Sequence, residues 1–226
     1  MPEILIDKII RSKRKTLALQ IEPDSKLIVR APQMVSEEVI FRFVDKKRSW
    51  ILDKQRVALE VYRPQIRKEF INGEGFLYLG EIYKLFLVDD DDEPLLFNGH
   101  EFKLSGQFTF KAKELFTAWY KREAYDVITK RVARYADMAE LSNYRKISIT
   151  DAKNRWGSCG HKGTLNFSWR LIMAPIKIVD YVVTHELAHL RERHHSQRFW
   201  NVVRSVMPDY KQHREWLRDN HRLLNI

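Results

Sequence analysis

Cysteine is nearly missing from this sequence, which has only Cys159 among its 226 residues. A single thiol cannot form a disulfide within the chain, so the small secreted scaffolds that depend on disulfides are excluded and a reducing compartment is favoured. Long apolar runs are missing too, and no stretch is long enough to span a bilayer. The sequence therefore predicts a protein with no membrane partner, and we expect it in the cytoplasm.

Other signals of location or architecture are also lacking. Residues 1–7 carry an acidic side chain before a short apolar run, instead of the basic segment and long apolar core of a secretory signal. No internal repeat, low-complexity tract or recognisable nucleic-acid-binding motif occurs. Hydrophobic residues make up 44% of the chain, which is enough to build a core, so we expect one large folded domain or two smaller ones.

Acidic residues are scarcer than basic ones, because 30 Asp and Glu stand against 40 Lys and Arg and give a net charge of +10 at pH 7. Part of the basic excess is patterned. A stripe follows the last helical stretch at steps of three or four residues: Lys211, Arg214, Arg218 and Arg222. A second cluster lies near the N-terminus: Arg11, Lys13, Arg14 and Lys15. Nucleic acid is therefore a candidate partner, although such stripes are more often solvated faces and a pattern of interleaved aromatic residues for base stacking is not evident here.

The first part of the chain, residues 1–106, has the pattern of a strand-rich α+β region. Apolar and polar side chains alternate through residues 3–31, as expected of short strands separated by turns. A helix then opens at Pro32 and Ser36 and closes at Pro64, after which the strand pattern returns. We expect this region to form the first of two domains.

The second part, residues 107–226, begins with a long helical pattern over about residues 107–140. Two strands follow, at 145–151 and 163–171, with a bend at 156–160 between them. Three shorter helices complete this part, and they begin near Pro175, Ser196 and Asp209. We expect these elements to form the second domain.

The pentad His185-Glu186-Leu187-Ala188-His189 is the most informative feature of the second part. It lies in the helix that begins near Pro175, where apolar residues recur at helical spacing. Two histidines four residues apart on a helix project from one side, since that step turns about 40° beyond a full circle, so both can bind one metal ion. Glu186, about 100° round from His185, can reach a water on that ion. The pattern is typical of a zinc hydrolase.

The third metal ligand follows the metal helix. A zinc ion that activates water needs three protein ligands and one open position. His195 is the proposed third ligand, and its neighbour His194 is the alternative if the turn between them and the helix is one residue shorter. With either residue, the sequence predicts one zinc ion per chain.

Four segments around the pentad resemble the YgjP-like metallopeptidases, which are relatives of the SprT-type zinc proteases. These segments are residues 155–159 (Arg-Trp-Gly-Ser-Cys), 165–171, 180–189 and 195–200 (His-Ser-Gln-Arg-Phe-Trp). The resemblance continues upstream through residues 14–19 and 29–32, so it covers nearly the whole chain.

This resemblance implies an α+β fold in which a zincin-like metallopeptidase core, with helices packed on a small sheet, follows the N-terminal strand-rich α+β region. It also implies zinc bound by His185, His189 and His195, with Glu186 as the catalytic carboxylate. The pattern that starts at His195 favours this residue over His194 as the third ligand.

The strand at 163–171 is a candidate edge strand on which a peptide substrate pairs through its main chain. Asn166, Ser168 and Arg170 alternate on one face of it, and they are candidate substrate-binding residues. An ordinary half-exposed strand is the alternative interpretation.

Tyr181 and His194 are the other candidate substrate-binding residues. Tyr181 lies one turn before His185 on the same helix face, where it serves either as a pocket residue or as a packing residue. The residue that stabilises the developing oxyanion is not identified by the sequence. Four side chains are chemically able to do so: Arg170, Tyr181, His194 and Tyr210.

Two classes of function are compatible with the sequence. The first is a zinc-dependent endopeptidase that acts on polypeptide, with Glu186 as general base. The second is a DNA-associated protein, either an SprT-like protease recruited to nucleoprotein by its basic surface or a basic nucleic-acid-binding module with a vestigial metal site. The intact Glu186 argues against a vestigial site, because a purely structural site needs no carboxylate beside an open zinc position.

Overall fold

The chain divides into two units with separate hydrophobic cores, Met1–Ile66 and Arg67–Ile226. The structure is a computed structural model and describes residues 4–22, 24–61, 68–89 and 93–226. Within those ranges we find no helix with both the length and the apolar character that crossing a bilayer requires.

A three-stranded sheet forms the centre of the first unit. Its strands are β1 (Lys8–Ser12), β2 (Ala18–Ile21) and β3 (Leu27–Pro32). β3 is the middle strand, parallel to β1 and antiparallel to β2. Leu27, Val29 and Ala31 alternate along β3 and are fully buried, as the two-residue period of a strand requires. The short strands predicted within residues 3–31 are thus confirmed.

Two helices follow this sheet: α1 (Glu37–Lys46) and α2 (Arg48–Val61). The single helix that we predicted here is wrong in one respect, because Lys47 leaves the helical conformation and its N–H donates to the Val44 carbonyl. Neither proline nor glycine lies at the break, so the sequence contains no local signal for it. Pro64, the predicted end of the helix, lies outside the described residues.

The second unit contains two sheets. The first has the strands β4 (Gly75–Tyr78), β5 (Glu81–Val88), β6 (Leu95–Phe97) and β7 (Phe102–Ser105) in the order β4-β5-β7-β6. The second has the strands β8 (Lys146–Thr150), β9 (Gly157–Cys159) and β10 (Thr164–Ser168) in the order β8-β10-β9. β10 is therefore a central strand, parallel to β8 and antiparallel to β9.

Two sequence predictions about the second sheet are wrong. The expected bend at 156–160 contains the strand β9, and this strand occupies the side of β10 that we expected to be an open edge. The expected strand at 163–171 also ends early, because the chain enters a 3-10 helix at Trp169–Met173. The edges of this sheet are β8 and β9.

Four helices complete the second unit: α3 (Ala112–Met138), α4 (Ile176–Ala188), α5 (Gln197–Val206) and α6 (Tyr210–Asn220). Short 3-10 helices precede α3, at Gly106–Lys111, and follow α6, at His221–Leu223. The long helix predicted at 107–140 is thus confirmed, with a 3-10 first turn.

Helix α4 is the most buried helix of this unit, because it packs against α3, α5, α6 and β9. A buried ion pair joins it to α3, where Arg131 Nη2 donates to Asp180 Oδ2 at 2.6 Å and Arg131 Nε donates to Asp180 Oδ1. Two parallel bonds between a guanidinium and a carboxylate fix orientation as well as distance. Helix α4 is therefore held in one position relative to α3.

The predicted α+β class is confirmed, because the described residues before Gly106 form the strands β1 to β7 with the helices α1 and α2, and helices pack on the small sheet of β8 to β10. The four-stranded sheet of β4 to β7 belongs to the second unit. A domain boundary after residue 106, which would give domains 1–106 and 107–226, stays a prediction about which segment folds independently.

Candidate metal centre

Helix α4 carries two of the histidines close to its C-terminal end. His185 lies in its last turn, and His189 directly follows its last residue with the backbone angles φ −67° and ψ −15°, which continue the helical path. The imidazole centroids of His185 and His189 are 5.0 Å apart. The four-residue spacing therefore places both rings on one side of the helix, as the sequence predicts.

His195 is the third histidine of the cluster, and it comes from the loop between α4 and α5. Its Nε2 atom lies 3.0 Å from the Nε2 atom of His185. One ring nitrogen from each of His185, His189 and His195 lies within 4.8 Å of the other two. His194 is exposed and is not a member of this group, and its carbonyl accepts a hydrogen bond from Ser196 N. The structure therefore brings together the three histidines that we predicted as ligands.

The state of these rings suits a divalent cation. Burial lowers the pKa of His185 to about 3, with further lowering by His189, His195 and Arg214. Burial also lowers the pKa of His189. Both imidazoles are therefore neutral near pH 7, which is the form that binds metal.

The ring of His189 is also oriented for binding. Its Nδ1 lies 3.0 Å from the carbonyl oxygen of Glu192, and an Nδ1–H donating there leaves the Nε2 lone pair free for a metal ion. Two nitrogen ligands of a tetrahedral zinc ion lie roughly 3.3 Å apart when each bond is about 2.0–2.1 Å. The separation of 3.0 Å between the Nε2 atoms of His185 and His195 is close to that value, and the ligand nitrogen of His189 lies within 4.8 Å of both, so the three residues could hold one divalent metal ion.

Glu186 is buried next to this cluster, with 5% of its surface exposed. Burial raises the pKa of its carboxyl to about 8, and the nearby charge of Arg155 lowers it partly. A dication at the histidines would lower the pKa further, because an opposite charge within a few ångströms favours the ionised form. The carboxylate is therefore able to take up a proton near neutral pH.

Gly157 allows strand β9 to approach Glu186 closely. A Cβ atom at Gly157 would lie 2.6 Å from Oε1 of Glu186, which is closer than any real contact permits. β9 is an edge strand, and it contacts α4 directly. The edge of the small sheet therefore runs past the carboxylate of Glu186.

The candidate substrate-binding residues of β10 make their hydrogen bonds within the protein. Asn166 Nδ2 donates to Ser158 Oγ at 3.3 Å, across the β9–β10 pair. Ser168 is buried, and its hydroxyl donates to the Ala152 carbonyl at 2.7 Å. Contact of Asn166 and Ser168 with substrate stays a prediction. A substrate that bonded to either side chain would have to compete with its present partner, Ser158 or Ala152.

Arg170 follows β10 and is also buried. Its Nη1 donates to Asp151 Oδ1 at 2.6 Å, and its Nε donates to Asn225 Oδ1 at 3.2 Å. The hydrogen bond from Arg170 lowers the pKa of Asp151. Contact of Arg170 with substrate stays a prediction. Its hydrogen bonds to Asp151 and Asn225 fix the position of the segment that follows β10.

Tyr181 lies closer to the cluster than the β10 residues do in sequence, one turn before His185 on α4. Its ring centroid is 6.0 Å from that of His185, and burial raises the pKa of its hydroxyl to about 12. The hydroxyl is therefore protonated and can donate a hydrogen bond. Tyr210, the other candidate tyrosine, stacks on Trp200 with ring centroids 5.1 Å apart. Oxyanion stabilisation by either tyrosine stays a prediction.

Three residues that contact the site were missed by sequence reasoning. Phe199 and Trp200 pack against the imidazoles, although the sequence indicated them only as part of the segment 195–200 that resembles the family. Arg193 donates to the carbonyl oxygens of Gly160 and His161 at 3.1 and 3.0 Å, and so ties the loop that carries His195 to the β9–β10 turn. Only their closeness to His195 in the sequence could have indicated that these three residues lie near the site.

The basic stripe lies on α6 and the 3-10 helix after it. Arg214 has its guanidinium 5.3 Å from the ring centroid of Trp200. Arg218 forms an exposed ion pair with Asp219 at 2.8 Å. Arg214 and Arg218 thus already contact other side chains. Nucleic-acid binding by the stripe stays a prediction.

Comparison with known proteins gives one extensive match. The profile of a family described as YgjP-like, metallopeptidase domain, matches residues 15–220. No curated relative matches the sequence significantly.

Two solved structures are similar to part of the chain. One is the metallopeptidase zymogen abylysin of Pyrococcus abyssi, with 23% identity and a TM-score of 0.37 over 40% of this chain and 93% of abylysin. The other is the metallopeptidase zymogen jannalysin of Methanocaldococcus jannaschii, with 18% identity and a TM-score of 0.38 over 41% of this chain and 95% of jannalysin. Each likeness covers less than half of this chain.

Proposed function

Because the chain belongs to the YgjP-like metallopeptidase family over residues 15–220, we propose that it is a zinc-dependent endopeptidase with one zinc ion per chain. His185, His189 and His195 hold the ion, and Glu186 acts as the general base. The single cysteine, which suits a reducing compartment, supports the cytoplasm as the place of action.

The observation that carries this proposal is the convergence of three imidazoles next to a buried carboxylate. The three ring nitrogens lie within 4.8 Å of one another, and Glu186 adjoins the first of them in sequence on α4. Three nitrogen ligands leave one position of a tetrahedral ion open, which is the arrangement of catalytic zinc sites and not of closed structural ones.

A bound zinc ion supplies Lewis acidity, which polarises a peptide carbonyl and makes water acidic enough to attack at neutral pH. Glu186 accepts the proton of the attacking water and later donates it to the amine that leaves. Its burial helps, because a carboxyl group with a raised pKa holds that proton between the two steps. Water is largely kept from this carboxyl by β9 and the surrounding core.

The polypeptide substrate is proposed to pair with β9, the edge strand beside Glu186. Backbone hydrogen bonds to an edge strand bind extended chains with little regard to side-chain sequence. Gly157 of β9 (Gly157–Cys159) lies against Glu186, so a chain paired with this strand would run close to that carboxylate. A chain that passes along an edge is cut at an internal bond, which supports an endopeptidase.

The test is a Glu186→Gln variant measured beside the wild-type protein. The amide keeps the shape of the side chain but cannot act as a base, so the variant should keep the metal and lose at least about 10²-fold in peptide hydrolysis. Zinc content is measured on the purified proteins, and hydrolysis is measured on casein, with a chelator-treated sample as control. Hydrolysis by the variant at a rate close to that of the wild type would refute the role of Glu186. Loss of zinc from the variant would assign Glu186 to the structure of the site.

A further inference from the structure

Phe199 occupies a central place beneath the metal centre. This residue is fully buried, and its ring centroid lies 4.9 Å from that of His185, 4.5 Å from that of His189 and 4.8 Å from that of His195. One rigid aromatic ring therefore contacts all three imidazoles. A side chain with this position restricts the tilt of each ring at the same time.

Trp200 adds a second contact to the histidine that most needs one. His195 is exposed and comes from a loop, whereas His185 and His189 are held by helix α4. The indole of Trp200 stacks on the His195 imidazole with centroids 5.7 Å apart and planes 26° apart. Tyr210 stacks in turn on Trp200 at 5.1 Å, so the indole is itself held by a neighbour.

The backbone next to His195 fixes these contacts. Ser196 is the N-cap of α5, and its hydroxyl accepts a hydrogen bond from Phe199 N at 3.4 Å. Trp200 N donates to the Ser196 carbonyl at 3.1 Å. The cap thus links the residue after His195 to both aromatic residues, and residues 195–200 form one local unit that contains the ligand, the cap and the two rings.

We propose that Phe199 and Trp200 are positioning residues, which hold the three imidazoles in ligand geometry before a metal ion arrives. This inference rests on the proposed function of His185, His189 and His195 as metal ligands. The physical reason is that, before a cation arrives, the three neutral rings share at most the one hydrogen bond between His185 Nε2 and His195 Nε2, which cannot fix the orientation of all three. Neighbouring side chains must therefore supply the order. Outer partners that hydrogen-bond to ligating histidines typically change metal affinity about 10–100-fold, and we expect an effect of that order from these packing contacts.

The test measures metal affinity with Co²⁺, which reports binding by its visible absorption, in competition with a chromophoric chelator. Phe199→Leu and Trp200→Leu should each bind Co²⁺ about 10–100-fold more weakly than the wild type. Trp200→Phe keeps an aromatic face against His195 and should restore most of the affinity.

Matched controls separate positioning from general stability. Phe116→Leu removes an equally buried ring from α3, and Trp216→Leu removes a half-buried indole from α6. Both controls should lower the melting temperature of the metal-free protein as much as the test variants do, yet keep the wild-type affinity for Co²⁺.

Three outcomes would overturn the proposal. Wild-type affinity in folded Phe199→Leu and Trp200→Leu would refute positioning while leaving the metal site intact. An equal loss of affinity in Phe116→Leu would show that destabilisation alone explains the effect. Absence of Co²⁺ binding by the wild type would refute the proposed function, and the positioning role with it.

Discussion

Helix α4 and the segment that follows it, residues 190–226, contribute to the same metal centre in different ways. Helix α4 is buried on nearly all sides, is tied to α3 by the Arg131–Asp180 ion pair, and carries the proposed base Glu186 and, in its last turn and directly after it, the proposed ligands His185 and His189. The later segment supplies one exposed ligand, the two rings that hold it, and most of the exposed basic residues near the C-terminus. A regular helix thus fixes two ligands by its geometry, whereas the third depends on contacts between side chains.

The largest effect on metal binding is expected when one of the proposed ligands is itself replaced. His189→Ala and His195→Ala should both lose most of the bound zinc, by more than the ~10–100-fold that outer contacts provide, because each removes one of three ligands. His194→Ala, as the matched control, should keep a full complement of zinc. Metal analysis after dialysis measures the result, and loss of zinc from the His194 variant alone would transfer the third-ligand role to His194.

A smaller effect is expected on the pH dependence of stability in the metal-free protein, because Glu186 of α4 is buried. The pKa of Glu186 is about 8, against an ordinary value of 4.5. The native state therefore binds more protons than the unfolded state between these values, and the free energy of unfolding should fall as the pH rises through this window. His185, with its pKa lowered to about 3, has the opposite effect below pH 6.5, so the contribution of Glu186 is clearest above that pH.

Urea unfolding in the presence of chelator measures this effect. Between pH 6.5 and 8 the free energy of unfolding should drop by about 1.5 kcal/mol, from a shift worth ~1.4 kcal/mol per pKa unit. Glu186→Gln cannot ionise and should lack this drop, and its stability should rise slightly near pH 6.5, where histidines of the unfolded chain still lose protons that native His185 and His189 do not carry. If the free energy of unfolding of the wild type showed no more of a drop than that of the variant, the carboxyl of Glu186 would be less buried than in the structure.

The smallest effect on fold and metal is expected at the exposed end of the later segment. Neutralising the exposed Lys211 and Arg218 together should leave zinc content and melting temperature almost unchanged, because exposed charges contribute little to stability. Arg214 is kept in this variant, since its guanidinium lies over Trp200. If the stripe binds DNA, the variant should bind more weakly and with a reduced dependence on salt concentration. Equal binding by the wild type and the variant at low salt would mean that the stripe is only a solvated face.

The same comparison explains what the sequence could predict. The pentad is predictable because the relation between positions four apart is a property of every helix, and the structure brings His185 and His189 together accordingly. The α+β class also follows from the sequence, because apolar residues recur every second position in a strand and about every 3.6 positions in a helix. The resemblance to a family selected His195, and this histidine does join the cluster.

The features that escaped prediction depend on tertiary contacts. Residues 157–159 (Gly-Ser-Cys) have low intrinsic strand preference, and they form β9 because they pair with β10 and pack against Glu186. The role of Phe199 escaped for a similar reason, because an apolar residue in an amphipathic helix is ordinarily part of the core. Only its contacts with three imidazoles distinguish it.

The contacts of Arg193 have a consequence for how the chain folds. Its guanidinium joins residues 32 and 33 positions earlier, so the contact closes a long loop that includes β10 and all of α4. Closing such a loop costs chain entropy, which is recovered only when the enclosed elements have packed. The pair His185 and His189 forms as soon as the last turn of α4 forms, but His195 joins it only when distant segments have met. We therefore expect a newly made or partly unfolded chain to bring together only two of the three proposed ligands, and the complete cluster to form only in the finished fold.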